Sequence, residues 1–337
     1  MSGKPWGATI LDAEGLRLTD KEKRLFADAD PFGFILFARN IDTPDQVRAL
    51  CADMRDAVGR DCPITIDQEG GRVQRLRSPQ WREWLPPLDH VTRAGGHAER
   101  AMYLRYRIIA DELRALGVDS NCAPMVDVPH AETHPFLLNR CYGHDGATVA
   151  RMGRAVADGL LDGGVLPVLK HIPGHGRAVV DSHFDLPVVS APLADLQDTD
   201  FAPFRALNDL PMGMTAHLVY DVIDSRPATL SPVMMDIIRS DIGFGGLVMT
   251  DDISMKALRG DLADLSRQSI DAGCDVVLLC NASLDDRARV AGAAGRMSPT
   301  AQTRAEAAIA ARKTPDDVDI PALAAQLEAF LDGRGNG

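Results

Sequence analysis

The stretch Val165-Leu166-Pro167-Val168-Leu169-Lys170-His171-Ile172-Pro173-Gly174-His175-Gly176-Arg177-Ala178-Val179-Val180-Asp181-Ser182-His183 changes character in its middle. Residues 165–169 form an apolar run of strand length. From Lys170 onward the chain carries three His, a Lys, an Arg and an Asp within fourteen residues, punctuated by Pro173 and two Gly. A buried strand that ends in a polar, glycine-containing loop is the unit this stretch defines.

Working outward, the same unit recurs. Apolar β-type runs lie at 8–11, 33–37, 64–67, 122–126, 166–170, 212–217, 247–250 and 275–279, which makes eight. Helical spacing separates them, over 19–27, 98–116, 148–162, 194–207, 232–242, 262–272 and 284–296. Another helix begins at Thr43-Pro44-Asp45-Gln46, where Thr43 is placed to cap, Pro44 takes the first helical position and Gln46 closes a capping box. Gly117 stops the helix that precedes the fourth strand.

Strands that read as continuous apolar runs, alternating with helices, call for a parallel sheet covered on its outside. The simplest solution is a single-domain (β/α)8 TIM-type barrel; a doubly wound open sheet is the alternative, and both put chemistry at the carboxyl ends of the strands. Helical patches at 303–311 and 321–331 add a C-terminal helical extension. The expected division is one catalytic domain over 1–332 and a loose tail over 333–337.

The 337 residues are 45% hydrophobic and 25% charged, ordinary for a soluble globular chain with a large core, and the 5% aromatic share suits a barrel packed with Val, Ile and Leu. A net charge of -12 disfavours binding to nucleic acid or to an anionic membrane. No apolar run approaches the roughly 20 residues of a membrane span, and the N-terminus lacks a signal-peptide h-region. Six Cys, at 51, 62, 122, 141, 274 and 280, form no CxxC pair and read as reduced core residues, so a cytoplasmic location is expected. A monomer or weak dimer is expected.

Polar residues gather at the strand ends. Asp67 closes the third run, Asp127 comes just after the fourth, Lys170 and His171 end the fifth, His217 ends the sixth, and Asp251 and Asp252 come just after the seventh. In Asp181-Ser182-His183, a carboxylate two residues from a His can fix its tautomer and raise its basicity, although such a pair also serves as a loop brace. In Thr250-Asp251-Asp252, one acid can face the barrel mouth while the other caps the next helix; both could equally be capping residues. In Ile66-Asp67-Gln68-Glu69-Gly70-Gly71-Arg72-Val73-Gln74-Arg75, Asp and Arg can hold the hydroxyls of a polyol, or brace one another. Arg140, in Asn139-Arg140-Cys141-Tyr142-Gly143, carries the same two readings.

Taken together, these blocks resemble glycoside hydrolase family 3. Lys170-His171-Ile172-Pro173-Gly174-His175-Gly176, with Asp181-Ser182-His183 after it, is similar to the signature of that family's single-domain β-N-acetylglucosaminidases of bacterial cell-wall recycling. Three further blocks, at 66–76, 139–143 and 250–255, are similar to the same family, and the match runs from Gly7 to Asn281. Ile172 stands where Phe is usual, and Cys141-Tyr142 where Ser-Phe is common.

The resemblance implies that Asp251 is the nucleophile, His183 the general acid/base and Asp181 its dyad partner. It also implies that Asp67, Arg75, Arg140, Lys170 and His171 bind the terminal sugar. The implied reaction is a retaining double displacement on a terminal β-linked N-acetylglucosamine, with 1,6-anhydro-N-acetylmuramic acid, with or without peptide, as the leaving group. It implies no cofactor and no metal, and a small carbohydrate as the partner. Two rivals stand beside it: a metal-dependent barrel hydrolase using His171, His175, His183 and Asp251, and phosphate in place of water as the acceptor. The glycines of the loop make a mobile 174–182 segment the expectation.

Overall fold

The computed structural model describes residues 4–180 and 185–333. Eight parallel strands form one sheet: β1 (Gly7–Asp12), β2 (Pro31–Leu36), β3 (Ile64–Ile66), β4 (Ser120–Asn121), β5 (Leu166–Ile172), β6 (Met212–Thr215), β7 (Leu247–Met249) and β8 (Val277–Leu279). Neighbours in the chain pair in the sheet from β1 to β7, and β1 also pairs with β8. A parallel bridge between Met249 and Val276 completes the ring between β7 and β8. The chain is therefore the TIM-type α/β barrel, not the open sheet.

Every strand residue is buried, as expected for strands with side chains packed inside the barrel and outside against helices. The helices lie where the apolar spacing places them, with local chemistry fixing their ends. Thr19 caps Asp20–Ala29 in a complete capping box with Glu22, and Asp145 caps Gly146–Asp162 through the Thr148 N–H. Thr43 caps Pro44–Val58 by accepting from the Gln46 N–H at 3.3 Å. The Gln46 carboxamide oxygen accepts from the Asp42 N–H at 2.9 Å, so it serves the residue before the cap.

Three expectations about elements are corrected. The regular part of β4 is Ser120–Asn121, ahead of the 122–126 run. Pro124 has no N–H to give a ladder, yet its carbonyl accepts from Lys170 N and Val126 N donates to the Lys170 carbonyl, so this stretch runs along β5 irregularly. The helix expected over 194–207 is interrupted: Pro203 cannot donate to Thr199, and a π-type turn at Leu196–Asp200 precedes a separate Ala202–Ala206 helix. The segment expected over 232–242 likewise widens after Asp236 into a π-type turn at Ile237–Asp241.

The C-terminal helices Pro299–Ala310 and Ile320–Leu331 lie against the barrel. Buried Arg107 donates to Asp316 at 2.6 Å, Arg312 pairs with Asp119 and Asp61, and Arg304 pairs with Asp275 at 2.9 Å. All six cysteines are buried and unbridged. No helix among the described residues is long and apolar enough to cross a membrane.

Candidate active site

The carboxyl ends of β3, β5 and β7 converge on a cavity of about 410 Å³. Asp67, Arg75, Arg140, Lys170, His171 and Asp251 all line it. Asp181 and His183 lie outside the described residues.

Just past β3 the chain doubles back in a short antiparallel hairpin, Gln68–Gly70 with Val73–Gln74. Gly70 and Gly71 make the turn at φ 109° and 57°, values that disfavour any other residue. The hairpin brings Arg75 back over Asp67, and Arg75 Nη2 donates to Asp67 Oδ2 at 2.9 Å. Lys170, at the end of β5, donates from Nζ to Asp67 Oδ1 at 3.0 Å and lies 2.6 Å from Glu69 Oε1. Arg140 closes the row with two parallel bonds to Glu69, of 3.0 and 2.8 Å.

The result is an alternating row, Arg75, Asp67, Lys170, Glu69, Arg140, in which each carboxylate, Asp67 partly buried and Glu69 fully, sits between two cations. Burial disfavours the Asp67 carboxylate, but Lys170 and Arg75 outweigh it and hold its pKa well below the usual carboxylate range. Glu69 meets the same burial, and Arg140 with Lys170 hold it down to about 2. Asp67 and the three cations face the cavity. Glu69, fully buried, orients two of them from behind.

His171 is held from the other side. Its Nδ1 lies 2.7 Å from Asp127 Oδ2, while Asp127 Oδ1 accepts the backbone N–H groups of His171 and His175 at 3.3 and 2.7 Å. With Asp127 ionised, Nδ1 carries a proton, which leaves Nε2 for a ligand. Asp127 is opposed by burial, yet its contacts with His171 and His175 lower its pKa. His175 is 6% exposed with neither ring nitrogen partnered among the described residues, and burial lowers its pKa to about 4, so its ring is neutral at pH 7. Among the described residues, no three His, Cys, Asp or Glu side chains are grouped as metal ligands.

The two acids after β7 separate cleanly. Asp252 turns to the scaffold: its Oδ1 accepts from Ser254 N and Cys280 N, both at 3.0 Å, and its Oδ2 from the Ser254 hydroxyl at 2.7 Å. Burial pushes its pKa up to about 6. Asp251 Oδ1 accepts the Asp252 N–H at 2.8 Å. Burial opposes its charge too, but His217, His171, the Asp252 N–H and Lys170 together lower its pKa. An ionised carboxylate at the mouth, beside a neighbour tied into the loop, is the arrangement a nucleophile needs.

The described part of the long β5 loop is anchored. The Gly174 carbonyl accepts from the Tyr220 hydroxyl, the Gly176 carbonyl from Thr133 Oγ1 at 2.5 Å and the Ala178 carbonyl from His134 N at 3.0 Å. Arg177 donates to Asp200 at 2.8 Å. The glycines at 174 and 176 are thus close-approach positions, and a Cβ on Gly176 would lie 1.8 Å from the Val128 carbonyl oxygen. Gly176→Ala is expected to lose about 1–3 kcal/mol from overpacking, read as a lowered unfolding midpoint; an unchanged midpoint would show that this contact is relieved at no cost.

Sequence reasoning did not single out Glu69 as a site residue, although a signal was present. Glu69 lies two residues beyond Asp67 on extended chain, so both carboxylates project to one side and both reach Lys170. Asp127 and His217 were visible as strand-end polar residues without an assigned task.

Comparison with known proteins adds a family to this geometry. The profile described as Glycosyl hydrolase family 3 N terminal domain matches residues 9–310. A β-hexosaminidase of Thiobacillus denitrificans is 36% identical over 288 residues, covering 82% of this chain and 78% of that protein. In fold, the chain is similar to native NagZ from Neisseria gonorrhoeae, with a TM-score of 0.84, 30% identity and full coverage of both chains. The same protein in complex with N-trifluoroacetyl-D-glucosamine matches with a TM-score of 0.84 and 29% identity.

Proposed function

The chain belongs to glycosyl hydrolase family 3, and from that membership we propose that it is a retaining exo-β-N-acetylglucosaminidase that removes terminal β-linked N-acetylglucosamine from muropeptides during peptidoglycan recycling in the cytoplasm. The observation that carries the reading is the convergence, in one cavity, of an ionised Asp251 with Asp67, Arg75, Lys170, Arg140 and His171. The β-hexosaminidase name of a relative and the glucosamine derivative bound to another support the sugar.

Asp67 accepts hydrogen bonds from hydroxyls of the terminal sugar, while Lys170, Arg75 and Arg140 donate to its oxygens. Arg75 Nε is buried and has no partner among the described residues. His171 presents Nε2 to the sugar. With the ring fixed, Asp251 attacks the anomeric carbon as His183, paired with Asp181, protonates the leaving oxygen; neutral His183 then takes a proton from a water whose oxygen attacks the anomeric carbon and displaces Asp251, so the sugar leaves with its configuration retained. A histidine donor departs as a neutral ring and adds no negative charge beside Asp251.

The test is a leaving-group comparison. His183→Ala is expected to lose about 10²–10⁴-fold in kcat/KM on a natural muropeptide and about tenfold or less on an aryl glycoside with a low-pKa phenol. Equal losses on both substrates would remove His183 from the acid role.

A further inference from the structure

His217 lies just beyond β6, is 1% exposed, and is not among the described residues that line the cavity. Its ring bridges two parts of the barrel mouth. Nε2 lies 3.0 Å from the backbone carbonyl oxygen of Asp252. A carbonyl only accepts, so Nε2 carries a proton. The same Asp252 residue donates its N–H to Asp251 Oδ1 at 2.8 Å. The Asp252 backbone therefore links the His217 ring to the Asp251 carboxylate.

The other ring nitrogen is held from behind. Nδ1 lies 2.8 Å from Thr229 Oγ1, which also lies 2.9 Å from Thr215 Oγ1 and 3.1 Å from the Ala216 carbonyl oxygen. The single Thr229 proton can point to Ala216 O, which leaves Nδ1 to donate as part of an imidazolium, or to Nδ1, which leaves the ring neutral. Turning one hydroxyl thus accommodates both charge states of His217 with no movement of heavy atoms.

We infer that His217 is a positioning residue for Asp251: it fixes the Asp252 backbone from the end of β6 and presents a protonatable ring to the Asp251 carboxylate. The inference rests on Asp251 being the nucleophile. Among the described residues, the other groups that bear on the Asp251 charge are Lys170, His171 and His175 from β5 and its loop, the neighbouring Asp252, and the buried thiols of Cys122 and Cys280. Among the described residues, His217 stands first of the groups that keep Asp251 ionised against burial, so charge and geometry point to the same partner.

Two variants separate the roles. His217→Gln keeps an N–H for the Asp252 carbonyl but has no charge; His217→Leu has neither. On an aryl β-N-acetylglucosaminide, kcat is expected to fall about tenfold in the Gln variant and about a hundredfold in the Leu variant, with competitive inhibition by N-acetylglucosamine unchanged. In both, the acid limb of kcat/KM is expected to move up by about half a pH unit or more, because a lost cation raises the pKa of the carboxylate beside it.

A readout independent of the substrate keeps the two proposals apart. The His217 ring, followed by NMR in the intact protein, is expected to titrate about half a pH unit or more lower in Asp251→Asn than in wild type, by reciprocity of the coupling. A shifted titration without glycoside turnover would support the His217–Asp251 coupling and overturn the proposed reaction. Folded variants with unshifted acid limbs and kcat within about twofold of wild type, or a His217 titration indifferent to Asp251, would overturn the inference.

Discussion

Asp251→Asn is expected to lower kcat on an activated aryl β-N-acetylglucosaminide by about 10⁴-fold or more, with folding and N-acetylglucosamine binding retained. The carboxamide fills the same space and can still accept the Asp252 N–H, so the loss separates the proposed nucleophilic role from a scaffold role. Asp252→Ala is the contrasting variant. It removes the acceptor for Ser254 N, the Ser254 hydroxyl and Cys280 N, so its main loss is in stability, with a smaller fall in turnover.

The pH dependence has a definite sign. The surroundings of Asp251 hold its pKa below the ordinary 3.8, so the acid limb expected from protonation of the proposed nucleophile has its midpoint on the acid side of the ordinary carboxylate value. An acid limb that lies well above pH 4 in wild type and disappears in a folded Asp252 variant would give Asp252 the role assigned to Asp251.

Glu69→Ala carries the largest expected effect on stability. Arg140 donates to both carboxylate oxygens of Glu69, and Lys170 shares its ammonium between Glu69 and Asp67. Removing Glu69 strands the buried Arg140 guanidinium, a change that typically costs about 3–5 kcal/mol. Denaturant unfolding measures it, and a loss below about 1 kcal/mol would mean that Arg140 finds another way to be compensated. Glu69→Gln keeps the shape and forfeits the charge, so the expected loss is smaller, with KM for the sugar raised because Arg140 and Lys170 lose their common anchor.

The same residue sets an acid-stability window. Glu69 is ionised in the folded protein down to about 2, against 4.5 ordinarily. A depressed folded pKa contributes stability that is fully present above the unfolded value and is lost as pH falls through the folded one. The wild-type protein should therefore lose part of its stability between pH 4.5 and about 2, and a Glu69→Gln protein should lose less over that interval.

The barrel was legible because its strands are uninterrupted apolar runs whose polar residues begin at their ends. Lys170 and His171 could be placed at a mouth by their position after 165–169, and Asp67 and Asp251 in the same way. The positions that misled were those where the backbone departs from a regular period. Pro124 interrupts the fourth strand and Pro203 the helix before the sixth, and neither interruption alters the apolar count that locates an element. The Gln68–Gly70 and Val73–Gln74 hairpin was announced by Gly70-Gly71, but its consequence, Arg75 returning onto Asp67, depends on a turn direction that composition does not carry.

Partnership was harder to read than position. Asp251 and Asp252 are adjacent acids with identical side chains, and only the amides of Ser254 and Cys280 assign one of them to the scaffold. By composition, the glycines at 174 and 176 suggest a hinge. Gly176 instead allows the chain to pass against the Val128 carbonyl, and the carbonyls of 174, 176 and 178 are each engaged by a neighbouring segment.

The central claim is that Asp251 becomes covalently attached to N-acetylglucosamine during turnover. Its most direct test is to incubate the protein with a 5-fluoro-N-acetylglucosaminyl fluoride, a reagent that forms the glycosyl-enzyme faster than it is released, and to map the modified peptide by mass spectrometry. The expected result is one sugar per chain, on Asp251, with activity lost in proportion. A sugar found on Asp252, or full inactivation with the peptide containing Asp251 unmodified, would contradict the account.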